Sequence, residues 1–182
     1  MVNIIHGADF HLDSPFDGLS PEKARQRRNE QRETVMAMAE LAKERGADIV
    51  LLSGDLFDSD NAFYETTTML REVFASMEAE IFIAPGNHDY YSPGSPYRSV
   101  VWPENVHIFS SGRIECVELP KKNCRVYGAA FTGPTIHRSI LDGFRAEQDD
   151  MINLMVLHGD TAAVTDGYNP ISSENIGESG LD

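Results

Sequence analysis

Ile81-Phe82-Ile83-Ala84-Pro85-Gly86-Asn87-His88-Asp89 decides the fold: an apolar run of strand length passes directly into a turn that carries an amide, an imidazole and a carboxylate. The arrangement recurs. Ile49-Val50-Leu51-Leu52 leads to Ser53-Gly54-Asp55, Val2-Asn3-Ile4-Ile5 leads to Asp9-Phe10-His11, and Met151-Ile152-Asn153-Leu154-Met155-Val156-Leu157 ends in His158-Gly159-Asp160. Taken singly, each polar group is an ordinary turn or capping residue after a strand. Taken jointly, they are groups at successive strand ends, and in an open α/β sheet the ligand crevice lies outside the carboxyl ends of the strands. Carboxylate, amide and imidazole donors without thiolate suit Mn, Fe or Zn, and a carboxylate shared by two ions holds them roughly 3.5–4 Å apart. Asp55 fits that bridging place.

The segments between the strands read as helices. Ser20-Pro21-Glu22 supplies a capping hydroxyl and a proline at the first helical position, and Gly46 ends the helix after Lys43, Glu44 and Arg45. Val35, Met38, Ala39, Leu41 and Ala42 give it an apolar stripe. A second helix is predicted over 64–77, with Met69, Leu70, Val73 and Phe74 inward. Helices alternating with strands imply parallel pairing. From Val106 onward the pattern changes to short alternating strands, over 114–119 and 125–129 among others, which predicts a second sheet.

These residues resemble the calcineurin-like metallophosphoesterases, and within them the SbcD-type bacterial DNA repair exonucleases. The resemblance runs through most of the chain. Ile5-His6-Gly7-Ala8-Asp9-Phe10-His11-Leu12-Asp13-Ser14-Pro15-Phe16 and Ser53-Gly54-Asp55-Leu56-Phe57-Asp58 look more like that exonuclease branch than like protein phosphatases or small cyclic-nucleotide esterases. The resemblance implies an α/β fold, a four-layered α/β/β/α sandwich of two mixed sheets flanked by helices, built as a single domain over 1–182. It implies two divalent metal ions, Mn first with Fe, Zn or Mg as alternatives. Asp9 and His11 would be ligands of one metal, Asp55 the bridge, and Asn87 and His158 ligands of the second. His88 would be catalytic, beside the scissile phosphate, while a metal-bound hydroxide attacks phosphorus in line. Asp89 is expected to orient His88. The implied partners are DNA and an SbcC-like ATPase, and a homodimer is left open.

One departure is serious: the family's last motif, Gly-His-x-His after a further strand, is absent before Gly180-Leu181-Asp182. The domain therefore reads as incomplete at its C-terminus, with three protein ligands left to each metal and weak or no activity expected. None of the remaining histidines is placed to replace that pair. His6 is expected in the core or behind a ligand, His107 on a strand with a solvent-facing ring, and His137 on the surface. Among the other nearby carboxylates, Asp58 and then Asp13 are expected to support ligands from behind, because the short loop 54–58 can turn Asp58 back toward a ligand imidazole.

With 182 residues, 41% of them hydrophobic, the chain can bury one good core. No apolar stretch approaches the roughly 20 residues of a membrane helix and no leader pattern precedes the first strand, so a cytoplasmic protein without membrane contact is expected. Cys116 and Cys124 are expected as free thiols. The net charge of −14 opposes simple phosphate-backbone binding, although two divalent ions would offset about four charges. The one basic cluster, Arg25, Arg27, Arg28 and Arg32, is interleaved with Glu22, Glu30 and Glu33 and reads first as a solvated helix face. The acidity keeps a rival in view, a metallophosphoesterase of small nucleotide or other phosphodiesters. The missing histidine pair keeps another, a non-catalytic scaffold of the same fold.

Overall fold

A computed structural model describes residues 1–161 and 167–182. The first sheet is all parallel in the order β1 (Ile4–Gly7), β2 (Ile49–Ser53), β3 (Glu80–Ala84) and β4 (Val106–Ile108). Its crossovers carry α1 (Pro21–Glu44), α2 (Tyr64–Ala75) and the one-turn α3 (Pro96–Ser99). The second sheet has β5 (Glu115–Leu119) antiparallel to β6 (Cys124–Gly128), and β6 parallel to β7 (Ile152–Val156). A short α4 (Ser173–Glu178) follows.

Side-chain alternation explains the layering. From β2, Val50 and Leu52 point with Ile81 and Ile83 of β3 into a core shared with Val35 and Ala42 of α1 and Leu70 and Phe74 of α2. Ile49, Leu51, Phe82 and Ala84 point the other way, onto Cys124 and Val126 of β6 and Val156 of β7. Both faces of the central strands are thus buried, which is why they read as unbroken apolar runs. The outer side of the second sheet is covered by the segment before β7: the Tyr127 and Phe144 rings meet edge-on at 5.1 Å, and Ala146 N ties this segment to the end of α4 by donating to Ser179 O. Two sheets flanked by helices make this the α/β sandwich that the sequence predicts.

Several local expectations are corrected. β1 begins two residues later than the apolar run, because its register is set by pairing, Ile4 to Ile49 through Gly7 to Leu52. His6 is exposed rather than in the core, since it lies on an edge strand, and its Nε2 meets Ser53 Oγ at 2.9 Å. The His107 ring does not face solvent alone: it stacks on its register neighbour Phe82 at 4.6 Å and meets Glu80 Oε2 at 2.8 Å. Leu41 falls off the buried stripe of α1 and is exposed, whereas Ala24, Val35, Ala39 and Ala42 are inside. Ser20 caps α1 through its side chain. Both cysteines are free, and the β5–β6 register puts them on opposite faces, Cys116 opposite Tyr127 and Cys124 opposite Leu119. Among the described residues no helix is long and apolar enough to cross a membrane.

Candidate metal centre

The loops that leave β1 and β2 stay zipped together beyond the sheet. Asp9 N donates to Gly54 O at 3.2 Å, His11 N to Asp55 O at 2.9 Å, Leu12 N to Leu56 O at 2.9 Å, and Asp58 N returns a bond to Leu12 O at 3.0 Å. Within this zipper Asp9, His11 and Asp55 have φ of 55°, 46° and 48°, the left-handed region that non-glycine residues rarely enter. Each such residue costs of order 1–3 kcal/mol, a strain that clusters where side chains must be aimed at a site. From α1, Gln31 Nε2 steadies the loop by donating to His11 O at 2.8 Å.

Asp55 lies at the centre, only 3% exposed. Its Oδ1 accepts the His88 backbone amide at 3.0 Å, which fixes the carboxylate plane. Its Oδ2 lies 3.5 Å from His158 Nε2 and 3.8 Å from His11 Nε2, so one oxygen faces two imidazoles from different strands. Donor atoms of Asp9, Asp55 and His158 lie within 4.8 Å of one another, as do those of His11, Asp55 and His88. Asn87 Oδ1 joins the first group at 3.0 Å from His158 Nε2. The backbone leaves no slack here. A Cβ on Gly86 would lie 2.1 Å from Asp55 Oδ1, and one on Gly54, where φ is +82°, would strike the His158 ring at 2.4 Å.

The donor set fits divalent ions. Donors about 2.1 Å from one ion stand roughly 3.0–3.4 Å apart around it, so the 3.0 and 3.5 Å separations about His158 have the size of a coordination edge. Tautomers point the same way. His158 Nδ1 meets the Ser53 carbonyl at 2.9 Å, to which only N–H can donate, and this leaves the Nε2 lone pair facing Asn87 Oδ1 and Asp55 Oδ2. His11 Nδ1 meets Asp58 Oδ1 at 3.1 Å, which aims its Nε2 at Asp55 in the same manner. Lone pairs turned onto oxygens repel unless a cation sits between them. Asp9, His11, Asp55, Asn87 and His158 are the residues that would hold such ions.

Among the other predicted site residues, Asp58 turns its carboxylate onto the His11 imidazole. Asp13 does not touch a ligand: its carboxylate accepts from Arg32 Nη2 at 3.1 Å, Phe63 N at 2.8 Å and Thr66 Oγ1 at 2.6 Å, and so ties the His11 loop to α1 and α2. Asp89 is corrected as well. Instead of meeting the His88 ring it is fully buried, with Oδ1 accepting from Gly86 N at 2.7 Å and Oδ2 from Phe57 N at 3.0 Å and the Tyr97 hydroxyl. Burial pushes its carboxyl up from the ordinary value, and the Tyr97 hydroxyl and the two amides pull the other way. The His88 ring is oriented by the Asp58 carbonyl, 3.1 Å from Nδ1, and stands edge-on to His11 with centroids 4.8 Å apart.

Three supporting residues give no sequence signal. Ser53 acts through its carbonyl, Tyr97 lies eight residues past Asp89, and buried Asn169 donates from Nδ2 to His158 O at 2.8 Å while its Oδ1 accepts Ile140 N at 2.7 Å.

Comparison with known proteins agrees with this geometry. Residues 2–172 match the family model described as calcineurin-like phosphoesterase. The chain is 32% identical over 192 residues to the uncharacterized metallophosphoesterase YhaO of Bacillus subtilis strain 168, an alignment that covers the whole chain and 47% of that relative, so the chain spans about half of the relative's length. A shared buried carboxylate between two groups of imidazole and oxygen donors, on a two-sheet sandwich matched over nearly its whole length, places the chain in the calcineurin-like phosphoesterase family.

Proposed function

We propose that the protein hydrolyses phosphodiester bonds in DNA as a nuclease of SbcD type, with two divalent ions, Mn foremost. Family membership gives the coarser activity, metal-dependent phosphoester hydrolysis. The observation that carries the proposal is the single Asp55 Oδ2 facing both His11 and His158, the arrangement a metal pair requires. The DNA assignment draws on the resemblance of residues 5–16 and 53–58 to the exonuclease branch. It is also supported by the openness of the site: Asp9 and His88 are exposed, so a phosphate embedded in a polymer can reach them. Two free cysteines suit a reducing cytoplasm.

When bound, the ions would supply Lewis-acid activation of water and neutralise charge on the phosphoryl oxygens. The chain's own contribution is His88. Its Nδ1–H donates to the Asp58 carbonyl, which fixes the ring beside His11 and Asp55 and leaves Nε2 as the atom from which a proton can pass to the leaving oxygen. Asp58 serves two histidines at once, His11 through its carboxylate and His88 through its carbonyl, and so couples metal holding to proton delivery.

The net charge of −14 favours a second reading, a small nucleotide phosphodiester as substrate. The two readings separate with Mn-loaded protein offered a labelled oligonucleotide and bis(p-nitrophenyl) phosphate in parallel. Slow release of nucleotides is expected, in keeping with the three protein ligands named for each ion. Turnover of the small diester with an intact oligonucleotide moves the assignment to the second reading, and calorimetry showing no bound Mn overturns both.

A further inference from the structure

We propose that the groove between α1 and the start of α2 binds the backbone of single-stranded nucleic acid that flanks the scissile phosphate. The proposal rests on the nuclease reading and adds to it the place where the polymer is gripped.

Arg25, Arg28, Asn29 and Arg32 stand at i, i+3, i+4 and i+7 and form one face of α1, while Glu30 is turned to Arg27, 2.6 Å away. Phe63, Tyr64 and Glu65 close the other wall, around an open groove of about 660 Å³. Three guanidinium groups against Glu65 and the Asp13 carboxylate behind Arg32 leave a small positive surplus in a chain of charge −14. Arg32 is paired with Asp13 at 3.1 Å and Glu65 at 3.7 Å and bonded to Thr66, so it braces the back of the groove and leaves Arg25 and Arg28 as the cations that can meet a phosphate. Arg25 is exposed, and Arg28 reaches the carbonyls of Ser14 and Pro15 with its guanidinium 5.6 Å above the Phe63 ring. Tyr64 is 83% exposed beside it.

Cations that track a backbone beside aromatic faces on which bases stack are the elements of single-strand binding, and stacking tolerates any base. The groove also adjoins the metal centre. Ser14, whose carbonyl meets Arg28, donates its hydroxyl to Asp58 Oδ1, which in turn meets His11 Nδ1. The three residues from His11 to Ser14 span at most roughly 10 Å. A strand with one phosphate at Asp55 therefore lays its neighbouring phosphates along Arg28 and Arg25.

The test is fluorescence anisotropy of a labelled oligothymidine of roughly 12 nucleotides with metal-free protein, over a salt series. Arg25→Glu combined with Tyr64→Ala is expected to weaken binding about tenfold and to lower the salt slope by about one. Lys43→Glu makes the same charge change roughly 27 Å further along α1 and is expected to stay within about twofold of the parent. Equal losses in both variants, an unchanged affinity in the groove variant, or no binding by the parent protein would each overturn the groove. Cleavage with Mn is followed on the same samples. Groove-dependent binding without cleavage sinks the nuclease reading and leaves the groove standing, whereas cleavage with unchanged affinity in the groove variant does the reverse.

Discussion

The Asp55 carboxylate accepts the His88 backbone amide, yet the two side chains do different work in the proposed reaction, and substitution separates them. Asp55→Asn keeps size and removes the charge both ions would share, so Mn affinity is expected to fall by at least about 100-fold and the rise in Tm on adding Mn to vanish. His88→Asn removes the proton donor and is expected to cut turnover by about 10²–10⁴ while calorimetry still counts two ions. Because the His88 ring also lies within ligand distance of His11 and Asp55, loss of one Mn in His88→Asn would make it a ligand instead. The residues of this site were legible in the sequence to the extent that their side chains act directly. Asp9, His11, Asp55, Asn87 and His158 all follow apolar runs, so their types and places declare a donor set. Asp13 and Asp89 carry the same chemistry at neighbouring positions, and only the tertiary partners show that they brace loops. Asn169 was illegible because it works on the His158 carbonyl through a chain segment that pairs with nothing predictable from pattern.

Loops make up the site, and strain there has to be held by something. The loop after β2 and the loop after β3 are joined by Asp89, which collects Phe57 N from one, Gly86 N from the other and the Tyr97 hydroxyl from α3. Gly86 must stay within contact of Asp55, so this brace sets how close Asn87 and His88 come to the Asp55 carboxylate. Tyr97→Phe removes one donor from a buried carboxylate, which costs roughly 1–3 kcal/mol. Tm is expected to drop accordingly, and amide exchange at Gly86 and Phe57 to quicken, whereas His88→Asn leaves both amides slow. A Tyr97→Phe protein with unchanged exchange at those amides would remove the brace from the account. The helices were readable beforehand where capping chemistry marked them, as at Ser20-Pro21, and the one-turn α3 and α4 were not, since four to six residues carry no periodicity. β1 holds Ile4 to His6 as expected but starts two residues after the apolar run begins, because its extent comes from pairing with β2.

Across the whole molecule the two sheets are held by apolar packing and by a few ion pairs that cross between layers. Asp48, just before β2, accepts Asn3 N at 2.9 Å and Lys122 Nζ at 2.7 Å, and Lys122 lies in the turn between β5 and β6, so this carboxylate ties one sheet to the other. Arg125, 7% exposed on β6, forks onto both oxygens of Asp149 at 2.9 and 2.7 Å and reaches Glu118 at 2.9 Å, which ties the second sheet to the segment before β7. The Asn3 amide and then Lys122 hold the Asp48 carboxyl below its usual range, and Arg125 and then the Met151 amide do the same for Asp149. Groups whose folded pKa is depressed contribute stability above their unfolded pKa and lose it as pH falls through the folded value. Both ties therefore hold fully at neutral pH and weaken together below about pH 4. Exposure on both carboxylates keeps each effect modest, so what identifies them is the shape of the pH dependence. Melting temperature measured from about pH 6 down to about pH 3 is expected to fall more steeply for the parent than for Asp48→Asn combined with Asp149→Asn, the curves converging at the acid end. Parallel curves would show that acid acts elsewhere in this chain, with the carboxylates around Asp55 the next group to test.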